Sequence, residues 1–391
     1  MFRTGEAPAP DAPRASSTRG RVTDRRRCRA VRVLQVDPSA YTPPYDHALS
    51  AALAAAGADV TLATSRFGYG ALAPPAGYVR DERAFYARQP GPPGSRARQA
   101  AKLAQHIPDM LALRRRASAF DVVHFQWLAV PPLDVRLLPR RAPLAITAHD
   151  VLPREPRGPG HEAAQRRLYD RVDAVVVHSE HGRRRLVGDL GVAEAKVEVI
   201  PHGAFTHLTE LAPAPLPLPD PGVPVVLFFG LLRPYKGLDV LLDAWRGVTD
   251  AELWIVGNAR MDVGPLQANA PPGVRWLTRF VSDAEAAALF RRADVAVLPY
   301  RQIDQSGVLF TALAFATPMI LSAVGGFPEV EPAVHVPPGD PAALHDALQR
   351  LLADEAARER LRATSRYAAR TTYSWERIAR AHLALYARAR S

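Results

Sequence analysis

What most constrains this chain is an alternation of β-branched runs and helical stretches that starts twice. VRVLQVD (31–37), DHALSAALAAAG (46–57) and ADVTLAT (58–64) read as strand, helix and strand, the opening of a parallel α/β sheet. FDVVHFQWL (120–128), PLAITAHD (143–150), DAVVVHS (173–179) and KVEVIPHG (196–203) add further strands. A proline-rich stretch, APAPLPLPDPGVP (212–224), then breaks the pattern and reads as a linker. The alternation resumes with strands at 224–230, 251–257, 274–281 and 294–300, and helices at 237–245, 283–293 and 309–316. One helix is expected over 341–365 and a closing helix over 374–390. Two doubly wound sheets should therefore face each other across a cleft, with ligands at the carboxyl ends of their strands. The expected bounds are a basic tail (1–29), a first domain (30–203), a linker (204–223) and a second domain (224–373). The helix 374–390 is expected to pack back on the first domain.

Charge is unevenly spread. The formal net charge is +11; residues 1–30 hold 8 Lys/Arg against 3 Asp/Glu (+5), and residues 31–200 hold 23 against 17 (+6), leaving the remainder neutral. An anionic surface partner is one reading, and an Ala-, Arg- and Pro-rich composition is the other. The start of the chain lacks an apolar signal segment, and no run approaches the roughly 18 apolar residues of a membrane span. It reads as a basic tail, or as the product of a start codon set too far upstream. The single cysteine, Cys28, excludes a disulfide framework and a cysteine metal cluster and points to a cytoplasmic setting. The stretch 96–119 interleaves six cations (to position 116) with Leu103, Ile107, Met110, Leu111 and Leu113. It reads as a basic surface for anionic lipid on the inner face of the plasma membrane, or as an ordinary helix with its apolar side inward, kinked at Pro108.

Chemistry concentrates in the second half. In FFGLLRPYKGLDVLLDAW (228–245) a strand ends at Gly230, a turn carries Arg233 and Lys236, and a helix begins near Gly237. Two cations over a helix start suit a diphosphate. In QSGVLFTALAFATP (305–318) a small-residue opening feeds a second helix, another place where free N–H groups favour an anion.

These runs, with RRADVAVLPY (291–300), VGGFPEV (324–330), HVPPGDPAALHDAL (335–348) and SWERIARAHLALY (374–386), resemble the C-terminal half of retaining, nucleotide-sugar-dependent glycosyltransferases of family 4. PLAITAHD and VEVIPHG resemble that family's cleft-histidine strand and its crossover between domains. The resemblance covers about residues 30–391 and implies the GT-B architecture, two Rossmann-like doubly wound domains facing a central cleft. It implies a nucleoside diphosphate sugar donor, an unidentified acceptor (cell-envelope glycan, glycolipid or small molecule) and no cofactor or metal. Arg233 and Lys236 would stabilise the leaving diphosphate, and His149 would stand near the transferred sugar. The N–H groups at Ser306, Gly307 and Val308 would hold the distal phosphate, and Phe280 and Val281 would meet the base. Tyr45 and His124 are expected on the acceptor side. The departing diphosphate would help take the acceptor's proton.

The chain departs from the family pattern at several points. Of the usual pair of glutamates, the second aligns with Thr311 and the first with Ile303, beside Asp304. Either Thr311 or Asp304 is expected to take over the ribose contact. The Gly-Arg pair after the strand is altered, Gly230 being followed by Leu231. TPPYDHAL (42–49) replaces the glycine-rich loop after the first strand. Gly68, Gly70 and Ala73 fit a loose dinucleotide pattern, but prolines follow where a helix should start. No P-loop, Asp-x-Asp motif, zinc spacing or nucleic-acid motif is present. A degenerate nucleotide- or glycan-binding protein, and an inverting or phosphorylase-type enzyme, are the rival readings.

Overall fold

In the computed structural model, residues 29–152 and 160–390 are described. The expected basic tail, apart from Arg29, and Cys28 lie outside these residues. The first half carries β1 (Arg32–Asp37), β2 (Asp59–Thr64), β3 (Val79–Asp81), β4 (Val122–Phe125), β5 (Leu144–Thr147), β6 (Ala174–Val177) and β7 (Val197–Val199). They form one parallel sheet in the order β3-β2-β1-β4-β5-β6-β7. The second half carries β8 (Val225–Phe229), β9 (Glu252–Val256), β10 (Val274–Leu277), β11 (Val295–Leu298), β12 (Met319–Ser322) and β13 (Val334–Val336). These pair in parallel as β10-β9-β8-β11-β12-β13. In each sheet the order reverses beside the first strand, the point where doubly wound folds open a crevice. Both sheets are covered on two faces, which is why β4, β5, β6, β11 and β12 are buried along their whole length.

Several elements differ from expectation for local reasons. The predicted helix over 341–365 is two helices, Pro341–Ala353 and Glu355–Arg370, because the Asp354 carboxylate accepts the Ala357 N–H and starts the second. The helix Arg96–Arg116 continues through Pro108. It buries His106, Met110 and Leu113, yet leaves Leu103, Ile107 and Leu111 exposed, at 68%, 45% and 36%. Within the predicted linker, Phe205 is buried at the start of the short turn Thr206–Glu210 and Leu208 is buried within it. The closing helix Trp375–Ala389 packs on the helix Pro43–Ala55 of the first half.

Backbone geometry at the carboxyl ends of β8 and β9 admits only glycine. Gly257 has φ +149°, and a Cβ there would lie 1.8 Å from the Gly230 carbonyl oxygen. Gly230, itself at φ +109°, forms the floor on which the site described below is built. The substitution Gly257→Ala is expected to cost more than about 2 kcal/mol, because backbone must move to admit the methyl group. Its unfolding temperature should fall by several degrees; an unchanged melting curve would show that these strand ends are looser than described.

Candidate functional site

Beyond the carboxyl ends of both sheets lies a cleft of about 1390 Å³, counting its open mouth. Pro43, Phe67 and Tyr69 of the first half face Gly230, Phe280 and Thr311 of the second. The volume is ample for a nucleotide-sized ligand. Phe280 is 42% exposed, and Tyr69 and Phe67 approach it with ring centres at 5.8 and 6.4 Å. The family resemblance points to Phe280; for Phe67 and Tyr69 the sequence signal is SRFGYG, a loose dinucleotide pattern without its helix. The Phe280 carbonyl accepts from Arg279, whose guanidinium also pairs with Glu285. Val281 is buried directly behind it.

The cleft floor brings the anion-binding candidates together. The position a Gly230 Cβ would take lies 3.0 Å from Lys236 Nζ and 3.1 Å from Val308 Cγ2. Lys236 therefore sits beneath the strand end and beside the first turn of the helix Gly307–Ala314. The lysine is only 6% exposed, and its ammonium lies 4.8 Å from the centre of the Tyr300 ring, a cation–π contact. Arg233 opens the short turn Pro234–Lys236 and is half-buried. At the facing helix, Ser306 occupies the cap position, and its N–H bonds the Gln305 side chain. The following N–H groups, Gly307 and Val308, have no acceptor within the helix.

Thr311 lines the cleft but donates its hydroxyl proton to the Gly307 carbonyl at 3.0 Å. What remains for a ligand is its oxygen as an acceptor, suited to a hydroxyl that donates. Asp304 is placed elsewhere. Its carboxylate accepts the Val151 N–H at 2.9 Å and the Arg185 guanidinium at 2.8 Å, both from the first half. It is buried away from the wall shared by Phe280 and Thr311, so the expectation of a ribose contact is replaced by a structural tie. Glu329 makes a second tie of the same kind, accepting the Glu180 and His181 N–H groups at 2.7 Å each.

The first half holds its loop after β1 without offering an anion site. Asp37, fully buried, accepts the N–H groups of Ser39, Tyr41 and Thr42 at 3.2, 2.6 and 3.2 Å. The donors that a glycine-rich loop would turn toward a phosphate are spent on this carboxylate. Burial and the neighbouring Asp37 raise the Asp46 carboxyl well above its ordinary range.

Two acceptor-side expectations are corrected. His124 is fully buried, with Nδ1 against the Tyr386 hydroxyl at 2.7 Å and Nε2 against Thr147 at 2.9 Å. Tyr45 is 1% exposed and packs among His149, His178, His202 and Trp375. Both serve the packing between the first half and the closing helix rather than the cleft wall. His149 lines a separate recess with Gln126, Trp127, Thr147 and Asp150. Ring contacts run from it to the helix Gly307–Ala314, His149 to His178 to His202, whose imidazole stacks on Phe310 at 4.3 Å. Among the described residues, no group of three His, Cys, Asp or Glu side chains converges as a metal site.

Comparison with known proteins agrees with this fold. The family description "Glycosyltransferase Family 4" matches residues 45–207, and "Glycosyl transferases group 1" matches residues 223–354. A phosphatidyl-myo-inositol mannosyltransferase from Mycobacterium leprae is 32% identical, over 68% of this chain and 73% of its own length. The chain belongs to the family 4 glycosyltransferases. A D-inositol 3-phosphate glycosyltransferase from Corynebacterium glutamicum is 28% identical to the transferase, over 73% of this chain and 76% of that one. In fold it is similar to the sucrose-phosphate synthase of Thermosynechococcus elongatus (TM-score 0.69, 21% identity, 92% and 98% of the two chains). It is also similar to Anabaena HepE, solved with UDP-glucose (TM-score 0.65, 16% identity, 91% and 99%). The GT-B architecture follows from both the sheets and these neighbours.

The placement of Asp304 has a measurable consequence. Asp304→Asn should weaken the tie between the halves by on the order of 1 kcal/mol, since Arg185 is part-exposed and partly screened. The unfolding temperature should drop while nucleoside diphosphate affinity, measured by calorimetry, stays within about twofold. A large loss of nucleotide affinity at unchanged stability would return Asp304 to the ribose.

Proposed function

We propose that the transferase moves a sugar from a nucleoside diphosphate donor to an acceptor at an anionic membrane surface, with retention of configuration and without a metal. The convergence of Lys236, Gly230 and the start of the helix Gly307–Ala314 carries this reading. As the bond from the anomeric carbon to the diphosphate breaks, negative charge grows on the leaving oxygens. Lys236, Arg233 and the Gly307 and Val308 N–H groups supply fixed positive potential there, in place of a divalent cation. The acceptor oxygen attacks from the face the diphosphate leaves, and its proton passes to a departing phosphate oxygen. Phe280 and Val281 border the base, and Thr311 accepts from a ribose hydroxyl. That HepE is solved with UDP-glucose supports a diphosphate donor.

The acceptor side is basic. A recess beside Phe67 and Tyr69 is lined by Arg66, Arg98 and Lys102, and none of the three forms an ion pair with a carboxylate among the described residues. This supports an acceptor bearing negative charge, as the names of the two inositol-directed relatives also do. On the helix Arg96–Arg116, the exposed Leu103, Ile107 and Leu111 recur every fourth residue, a continuous apolar stripe. Arg114 and Arg115 from its end meet Arg140 and Arg141 around one concavity. An apolar stripe rimmed by arginines suits the cytoplasmic face of an anionic bilayer. No helix among the described residues is long and apolar enough to cross a membrane.

Lys236→Ala should lower transfer at least about tenfold, and Arg233→Lys should also slow it because a point charge does not replace a fork. The assay is turnover with the sugar nucleotide selected by a thermal-shift screen of UDP, GDP and ADP sugars. Unchanged turnover in Lys236→Ala would falsify the phosphate assignment, and a product of inverted anomeric configuration would refute retention. A parent chain that binds nucleotide without transferring sugar would favour the degenerate binder.

Membrane attachment has its own test. The transferase should sediment with phosphatidylglycerol-containing vesicles and be released by salt, and reversal of Arg114, Arg115 and Arg140 to Glu should abolish most of that binding. Equal partition onto neutral and anionic vesicles would show that the arginines do not serve the membrane.

A further inference from the structure

His178, to which no role has been given above, sets the chemistry of His149. It stands 7% exposed in the first half, just beyond β6. Its Nδ1 lies 3.0 Å from the Ile200 carbonyl oxygen. A carbonyl only accepts, so the hydrogen of His178 is on Nδ1. A neutral imidazole carries one N–H, and His178 Nε2 is therefore a bare acceptor. His149 Nδ1 sits 3.2 Å from that atom and must be the donor. The hydrogen of His149 is thereby fixed on Nδ1, and its Nε2 holds a lone pair.

The surroundings keep both rings neutral and in place. Burial pushes His178 down to about 4, and burial with His178 and His202 nearby pushes His149 well below its ordinary value. Trp127 stacks on His149 at 5.0 Å and 11°, while Tyr45 meets it edge-on at 4.8 Å. The ring cannot turn without losing both contacts. His149 Nε2 is buried without a hydrogen-bond partner among the described residues, and so are both amide atoms of Gln126, which is 1% exposed. Both residues line the same recess, with Trp127, Asp150 and Gln165. A lone pair beside an amide that can accept and donate suits a hydroxyl-bearing ligand. Neither the lone pair nor Asp150 favours an anion there.

We propose that His178 is a positioning residue: by accepting from His149 Nδ1–H it leaves His149 Nε2 as the acceptor for a substrate hydroxyl in this recess. The functional half of this inference rests on the sugar-transfer reading; the tautomer does not. Without His178 an imidazole favours the opposite tautomer, with hydrogen on Nε2, which would meet a hydroxyl as donor to donor.

The test combines a spectrum with kinetics on the full chain. Long-range ¹H–¹⁵N spectra of ¹⁵N-histidine-labelled protein, assigned with His149→Gln, should show His149 as the Nδ1–H tautomer near neutral pH. His178→Phe should shift it toward Nε2–H. In that variant kcat should fall at least about tenfold while the donor KM stays within about threefold. His178→Gln, whose side-chain oxygen can accept from His149, should recover part of the loss and guards against a simple folding defect. An Nε2–H tautomer in the parent, or one unmoved by His178→Phe, would overturn the proposal. So would unchanged kcat despite a shifted tautomer. If the parent transfers no sugar at all, the proposed function fails, and the spectra still decide whether His178 sets the tautomer.

Discussion

Two carboxylates of the second half hold the cleft in register by satisfying donors of the first. Asp304 takes a backbone N–H at Val151 and the Arg185 guanidinium, and Glu329 takes the N–H groups that open the short helix Glu180–Arg184. Both acids project from loops after β11 and β12, so the contacts lie where the two sheets present their carboxyl ends. Close packing fixes their position. A Cβ at Gly325 would lie 1.6 Å from the Ile303 carbonyl oxygen, and one at Gly326 would lie 2.9 Å from the Asp304 oxygen and from Ser179. The Gly-Gly turn thus exists to let the loop carrying Asp304 approach both its neighbour and the other half. On the opposite lip Phe280 meets Tyr69 and Phe67 through ring contacts.

The halves share a topology but divide the labour, and the division begins at their first strands. After β1, three N–H groups curl onto the Asp37 carboxylate, so that loop is neutralised from within. After β8, the chain instead presents Gly230 over the Lys236 ammonium, beside a helix start. The loop after β1 therefore has its N–H groups turned inward, whereas the end of β8 lies against an ammonium and a helix start. The same fold can make opposite choices because the loop after the first strand is free to change while the strands are not.

Much of this was legible in the sequence, where the relevant contacts are local. The strand–helix alternation, the turn carrying Arg233 and Lys236, and the small-residue start of the helix Gly307–Ala314 are all set within about ten residues of chain. What was not legible depends on contacts between distant segments. Nothing near His124 signals that Tyr386 and Thr147 occupy both its nitrogens, so a buried histidine passed for a ligand-facing one. Asp304 was noticed for its place beside a missing glutamate. Its partners, Val151 and Arg185, come from more than a hundred residues away. The break at Asp354 was available locally, as an Asp that can cap, but was hidden by the strong helical pattern on both sides.

The loss of the acid at position 311 fits the rest of the site electrostatically. A carboxylate there would stand on the helix whose N-terminus is the proposed phosphate site, where it would compete with the phosphates for positive potential. Threonine carries no such charge and turns its own proton inward to the Gly307 carbonyl, one turn back along the helix. Under the proposed donor reading, the phosphate end would meet Lys236, Arg233 and the helix start, and the ribose end would meet one neutral oxygen. In that reading binding energy is concentrated where charge would develop as the sugar leaves, and interactions that strengthen only then raise the rate rather than the ground-state affinity.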